Sequence, residues 1–188
     1  MPMEKMKVRE LMRPVEEFPR VSSRATLMEA VEALAEAEKE FLAGRAKQRI
    51  LLVCDEDGKI MGKISPMDVV QGLEPNYEGI ESLKTLPHYR LAPSLVESLK
   101  DELRVWERPF SELCRKAVAV KIKNFIKLPT PDHMVRADDS MDKAFHLFVV
   151  GRHDSLFVTE GEAIVGVIRF SDVYREIVHS MRECSLAG

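Results

Sequence analysis

Apolar positions recur at helical spacing in two separated stretches: Leu27, Ala30, Val31 and Leu34 in the first, Met141, Ala144, Phe145 and Phe148 in the second. Each spacing predicts an amphipathic helix with one face to cover. Thr26 and Ser140 stand directly ahead of these faces, where a hydroxyl can accept an orphan amide hydrogen bond as an N-cap. Continuous apolar runs at Ile50 to Cys54, Ala117 to Val120 and Leu147 to Val150 are far shorter than the roughly 20 residues of a membrane helix, and they read as buried strand or helix segments.

These elements occur twice. LLVCDEDGKIMGKISPMDVV (Leu51 to Val70) aligns with SLFVTEGEAIVGVIRFSDVY (Ser155 to Tyr174) at an offset of 104, with seven of twenty positions identical. Leu52/Leu156, Ile60/Ile164, Gly62/Gly166, Ile64/Ile168 and Asp68/Asp172 fall in the order strand, acidic turn, strand, helix start. Upstream, Val21 to Leu34 aligns with Val135 to Phe148 at an offset of 114, which places a ten-residue insertion near EKEFLAGRAK in the first copy. Each copy therefore predicts a short extended segment, a helix, two strands joined by a tight turn, and a second helix. Alone, each buries too little; packed together they make one body with pseudo-two-fold symmetry and a cleft between copies.

Between the copies, Pro75, Pro87, Pro93 and Pro109 punctuate two helical stretches, SLVESLKDELRVW and FSELCRKAVAV. Leu95, Leu99 and Leu103 recur every four residues, as Phe110, Leu113 and Ala117 roughly do, so both stretches predict docking faces for the repeats or a partner subunit. The chain thus divides into a first repeat (1–74), a helical inter-repeat segment (75–119), and a second repeat with a C-terminal helix (120–188). The fold class is mixed α/β.

A length of 188 residues fits one domain or two small ones, and 45% apolar with 31% charged residues fits a globular chain. The 28 basic and 31 acidic side chains leave a net charge of −3, with no global attraction to nucleic acid or anionic lipid. No secretory signal or membrane span is legible, so the expected compartment is the cytoplasm. Cys54, Cys114 and Cys184 are odd in number and widely spaced, against a disulfide framework or a zinc site, and Cys54 reads as a buried strand residue.

Candidate chemistry concentrates where each copy's second strand meets its last helix. Ser65, Pro66 and Asp68 can form a helix start, with Ser65 capping and Asp68 closing a capping box. The equivalent segment has Arg169, which accepts no amide hydrogen bond, yet keeps Asp172 three residues later. A carboxylate in a helix's first turn can take both hydroxyls of a ribose, and the helix N-terminus favours phosphate. That role competes with capping at Asp68 and is preferred at Asp172. Gly62 and Gly166 permit close approach of a ligand or a neighbouring backbone. Arg136, Arg152 and His153 lie near strand edges; Lys121, Lys123 and Lys127 alternate with Ile122 and Ile126 as the wet side of an extended lead-in. His146 reads as structural. His88, His133, His146, His153 and His179 form no HExxH, and no GxSxG, P-loop or GxGxxG occurs, so no catalytic site or metal site is expected and the chain does not read as an enzyme.

The ordered repeat of V-x-x-x-x-S/T, a helix with central Ala, a strand ending near an acidic turn, and G-x-I-S/R-x-x-D resembles the cystathionine-β-synthase (CBS) domain, here as a tandem pair, over Val8 to Glu74 and Val120 to Met181. The resemblance implies βαββα units packed through their sheets, a homodimer, and an adenosine ligand in an inter-repeat cleft: AMP, ADP, ATP, S-adenosylmethionine or NADH. It puts Asp68 and Asp172 on the ribose hydroxyls, with Ser65 at the hydroxyl position of the motif and Arg169 replacing it in the second copy, where a guanidinium either grips phosphate or fills the site. The implied function is a stand-alone regulatory module signalling to a separate protein partner; the alternative is a structural dimerisation module with closed clefts.

Overall fold

A computed structural model describes residues 3–74, 76, 97–98, 101–126 and 128–186. Of the first middle helical stretch, SLVESLKDELRVW, residues 94–96 and 99–100 lie outside these residues, and with them Leu95 and Leu99 of its expected docking face.

Seven strands are described: β1 (Arg13–Pro14), β2 (Arg20–Ser22), β3 (Leu51–Cys54), β4 (Ile60–Ile64), β5 (Met134–Arg136), β6 (Ser155–Glu160) and β7 (Ala163–Arg169). The described α-helices are α1 (Val8–Leu11), α2 (Leu27–Leu42), α3 (Pro66–Leu73), α4 (Phe110–Ala117), α5 (Met141–Gly151) and α6 (Phe170–Leu186). The two copies are β2-α2-β3-β4-α3 and β5-α5-β6-β7-α6, the order the repeat predicts. One sheet runs β2-β3-β4, the other β1-β7-β6-β5. β2 is parallel to β3 and β5 is parallel to β6, as expected of strands joined through a crossover helix.

Local chemistry accounts for the boundaries. Thr26 Oγ1 accepts from the Glu29 N–H at 3.2 Å while the Glu29 carboxylate accepts from the Thr26 N–H at 2.6 Å, a reciprocal start to α2. Ser140 holds the equivalent position ahead of α5 without a side-chain cap hydrogen bond. The β6–β7 turn places Gly161 at φ 60°, where a side chain would be strained.

The chain groups into two bodies. One comprises the described residues of Met1–Phe18, Lys59–Met61 and Leu128–Gly188, the other those of Pro19–Gly58 and Gly62–Lys127. Each has its own core. In the first, Val8 packs with Val135, Met141, Ala144, Phe148, Leu156 and Ile168; in the second, Ile122 packs with Ala30, Leu34, Leu51, Val53 and Ile64. The segment leading into each copy therefore completes the core of the other copy. The exchange is matched bond for bond: Val8 N–H donates to Asp139 O at 3.0 Å and Ile122 N–H to Ala25 O at 2.9 Å, while Arg9 N–H donates to Ala137 O at 3.0 Å and Lys123 N–H to Ser23 O at 3.2 Å. Every residue of the first set stands 114 positions from its counterpart in the second.

Several local readings need correction. The lead-in at Ile122 is a 3-10 turn (Ile122–Asn124) rather than an extended segment, because the exchange turns Ile122 fully inward; Lys121 and Lys123 are exposed as expected, and Lys127 lies outside the described residues. Val149 and Val150 are exposed at the end of α5, where the helical turn carries them off the face led by Met141, and Val118 is exposed just beyond α4. His146 is also exposed, on the outer face of α5. Cys54 is buried in β3, and burial pushes its thiol up.

Candidate functional site

In the first copy β4 ends at Ile64 and α3 begins at Pro66, so Ser65 sits at the junction with the extended backbone of an N-cap. Pro66 suits the first helical position because its missing N–H would be unpaired there anyway. Asp68 turns back onto the cap: its Oδ2 accepts from the Ser65 N–H at 2.7 Å and from the Ser65 hydroxyl at 2.6 Å. Oδ1 takes no hydrogen bond among the described residues, and the side chain is half-buried at the helix start. The capping box and a second acceptor oxygen thus coexist in one carboxylate.

The second copy is built differently. β7 runs directly into α6 at Phe170, and Asp172 in the first turn is 6% exposed. Arg169 Nε and Nη2 donate to Asp172 Oδ2 and Oδ1 at 2.7 and 2.9 Å. Arg13, carried on β1 against the edge of β7, donates a second fork to the same oxygens at 3.3 and 3.2 Å. Arg175, one turn along α6, donates to Oδ1 as well. Five N–H groups thus converge on a carboxylate that offers about four lone-pair sites. Burial pushes the Asp172 carboxyl up, but the hydrogen bonds from Arg169 and Arg13, and then their charges, outweigh it and lower it to about 2. Asp172 also raises the Arg13 guanidinium. Three cations around one anion leave a local excess of positive charge.

Arg13 and Arg175 were absent from the sequence-derived set. Arg13 lies 159 positions from Asp172, beyond any local motif, but Lys7-Val8-Arg9 aligns with Lys121-Ile122-Lys123 at the repeat's own offset of 114. That third match marks the N-terminal segment as a lead-in equivalent to Lys121–Lys123, but not which copy it joins. Gly166 meets the same segment: it pairs with Pro14 across the β1–β7 ladder, and a Cβ on it would stand 2.7 Å from the Arg13 carbonyl oxygen. The close approach is by a neighbouring backbone. Arg136 and Arg152 are exposed, and Asp138 and Asp139 bind cations, Arg9 at 2.6 Å and Lys143 at 2.7 Å respectively.

Two βαββα copies, each ending in an aspartate on the first turn of its closing helix, define a tandem architecture of the CBS type. The CBS-domain sequence model matches residues 8–74 and 122–179, and the chain belongs to that family. No curated protein matches it in sequence. Among solved structures it is similar to a CBS domain-containing protein of unknown function from Bacillus anthracis (TM-score 0.60, 16% identity, covering 94% of this chain and 96% of that one). It is also similar to CBSX2 in complex with AMP (TM-score 0.54, 16% identity, 92% and 96% covered). A third is the cytosolic domain of the Mg2+ channel MgtE in complex with ATP (TM-score 0.53, 17% identity, 92% of this chain and 49% of that one).

Proposed function

We propose that the chain is a regulatory CBS pair that binds an adenine nucleotide, with the ribose held by Asp68 and Ser65, and passes occupancy on to a protein partner. The observation that carries the reading is the Asp68 carboxylate, one of whose oxygens accepts no hydrogen bond among the described residues, at the start of α3 in a chain whose structural neighbours include complexes with AMP and ATP. In the second copy the roles divide. Asp172, saturated by guanidiniums, orients Arg169 and Arg13, whose surplus charge suits a phosphate. No catalytic step is proposed: adenosine recognition, not turnover, is the chemistry of these groups. Signalling requires that the nucleotide bind two conformations with different affinity.

Calorimetric titration with AMP, ADP, ATP, S-adenosylmethionine and NADH tests this. Saturable binding of at least one of them, weakened tenfold or more by Asp68→Ala in a folded variant, is the expected result; loss of one charge-assisted hydrogen bond is worth about 1.5–3 kcal/mol. An isotherm that is flat across the panel would overturn it in favour of a structural module.

A further inference from the structure

Outside that site, a second cluster gathers around His153. Its side chain is 11% exposed, and its Nε2 is buried without a hydrogen-bond partner among the described residues. A buried imidazole nitrogen without a partner is disfavoured unless something else satisfies it. The ring lies directly against Gly151, the last residue of α5, so a side chain there would displace it. Across from it, the His133 ring centroid is 3.7 Å away, and Asp132 Oδ2 lies 3.8 Å from His153 Nε2 and 3.9 Å from His133 Nδ1.

We propose that Asp132, His133 and His153 form a binding site for a divalent transition-metal ion of the zinc class. One ligand atom from each residue lies within 4.8 Å of the others. Tetrahedral coordination with bonds of about 2.0–2.1 Å separates ligand atoms by roughly 3.3 Å, so closure brings each imidazole about half an ångström nearer the carboxylate and the widest pair nearer by up to about 1.5 Å. Two imidazoles and one carboxylate match zinc, and poorly match calcium or magnesium, which take oxygen ligands. Regular structure flanks the site on both sides. The 3-10 turn Pro131–His133 feeds β5, and His153 follows the left-handed Arg152 (φ 54°) that ends α5 before β6. Thr130 Oγ1, 2.9 Å from His133 Nδ1, can release that nitrogen and remain on Asp132, with which it also hydrogen-bonds, as an orienting second contact. Asp132 is exposed, so water has access to the fourth position. The site uses none of the nucleotide residues.

The test is calorimetric titration of the full, untagged, chelator-stripped chain with zinc chloride, with cobalt(II) absorption as a second readout of tetrahedral geometry. One ion per chain is expected, bound at least tenfold more weakly by Asp132→Asn and by His153→Ala, and unchanged by His146→Ala and His179→Ala. Asp132 is exposed, so its variant keeps the fold even if that of His153 does not. Gly151→Ala, which displaces the His153 ring, should lose the ion while leaving α5 intact by circular dichroism. The proposal is overturned if wild type binds no zinc, if Asp132→Asn and Gly151→Ala bind it as wild type does, or if His146→Ala removes it. Nucleotide titration of the same variants is independent of each of these outcomes.

Discussion

Asp172 shows how far one residue's role can move from its motif. Read locally, it is a first-turn carboxylate ready for a ribose; in the fold, two bidentate guanidiniums and a third arginine surround it. Its folded carboxyl lies at about 2, below the usual 3.8. A depressed carboxyl contributes stability that is full above the unfolded value and lost as the pH falls through the folded one, here between about 4 and 2, and worth roughly 2 kcal/mol. Asp172→Asn should therefore lower stability at neutral pH and flatten its decline across that acid window, as denaturant melts at several pH values would show. An unchanged acid profile would mean the arginine cage is not maintained in solution. The presence of Asp172 and Arg169 was legible from the repeat; the fork from Arg13 was not, because Arg13 reaches Asp172 only through the packing of β1.

At the scale of elements, the two α-helical faces, the two strand pairs and the closing helices were all legible, since period and capping are local properties. What the periodicity did not show is the exchange of lead-in segments. Val8 and Ile122 are both completely buried, each in the core that follows the other segment in sequence. A four-residue helix or a 3-10 turn has too few apolar positions for a periodic signal, and only its neighbours decide where it goes. Ile122→Ala should cost about 2–5 kcal/mol, as a truncation in a closed core does, whereas Lys123→Ala beside it should change stability by less than about 0.5 kcal/mol. Chemical denaturation of both variants measures the contrast, and equal effects would place Ile122 outside the core.

For the whole molecule, among the described residues no helix is long and apolar enough to cross a membrane. Phe170, Tyr174 and Met181 nevertheless leave an exposed apolar stripe along α6. This stripe is where the homodimer expected from the resemblance is tested. Sedimentation should show a dimer that Tyr174→Glu shifts toward monomer without loss of helix; a wild-type chain that stays monomeric at all concentrations would assign the stripe to another partner. The sequence by itself determined the two copies, their element order and the aspartate at each closing helix, because these rest on spacing and backbone preference within some twenty residues. Only the tertiary structure decided that each lead-in completes the other copy's core, that among the described residues arginines enclose Asp172 but not Asp68, and that His153 meets Asp132 and His133. These depend on contacts between residues remote along the chain, and a one-dimensional pattern carries no distance between them.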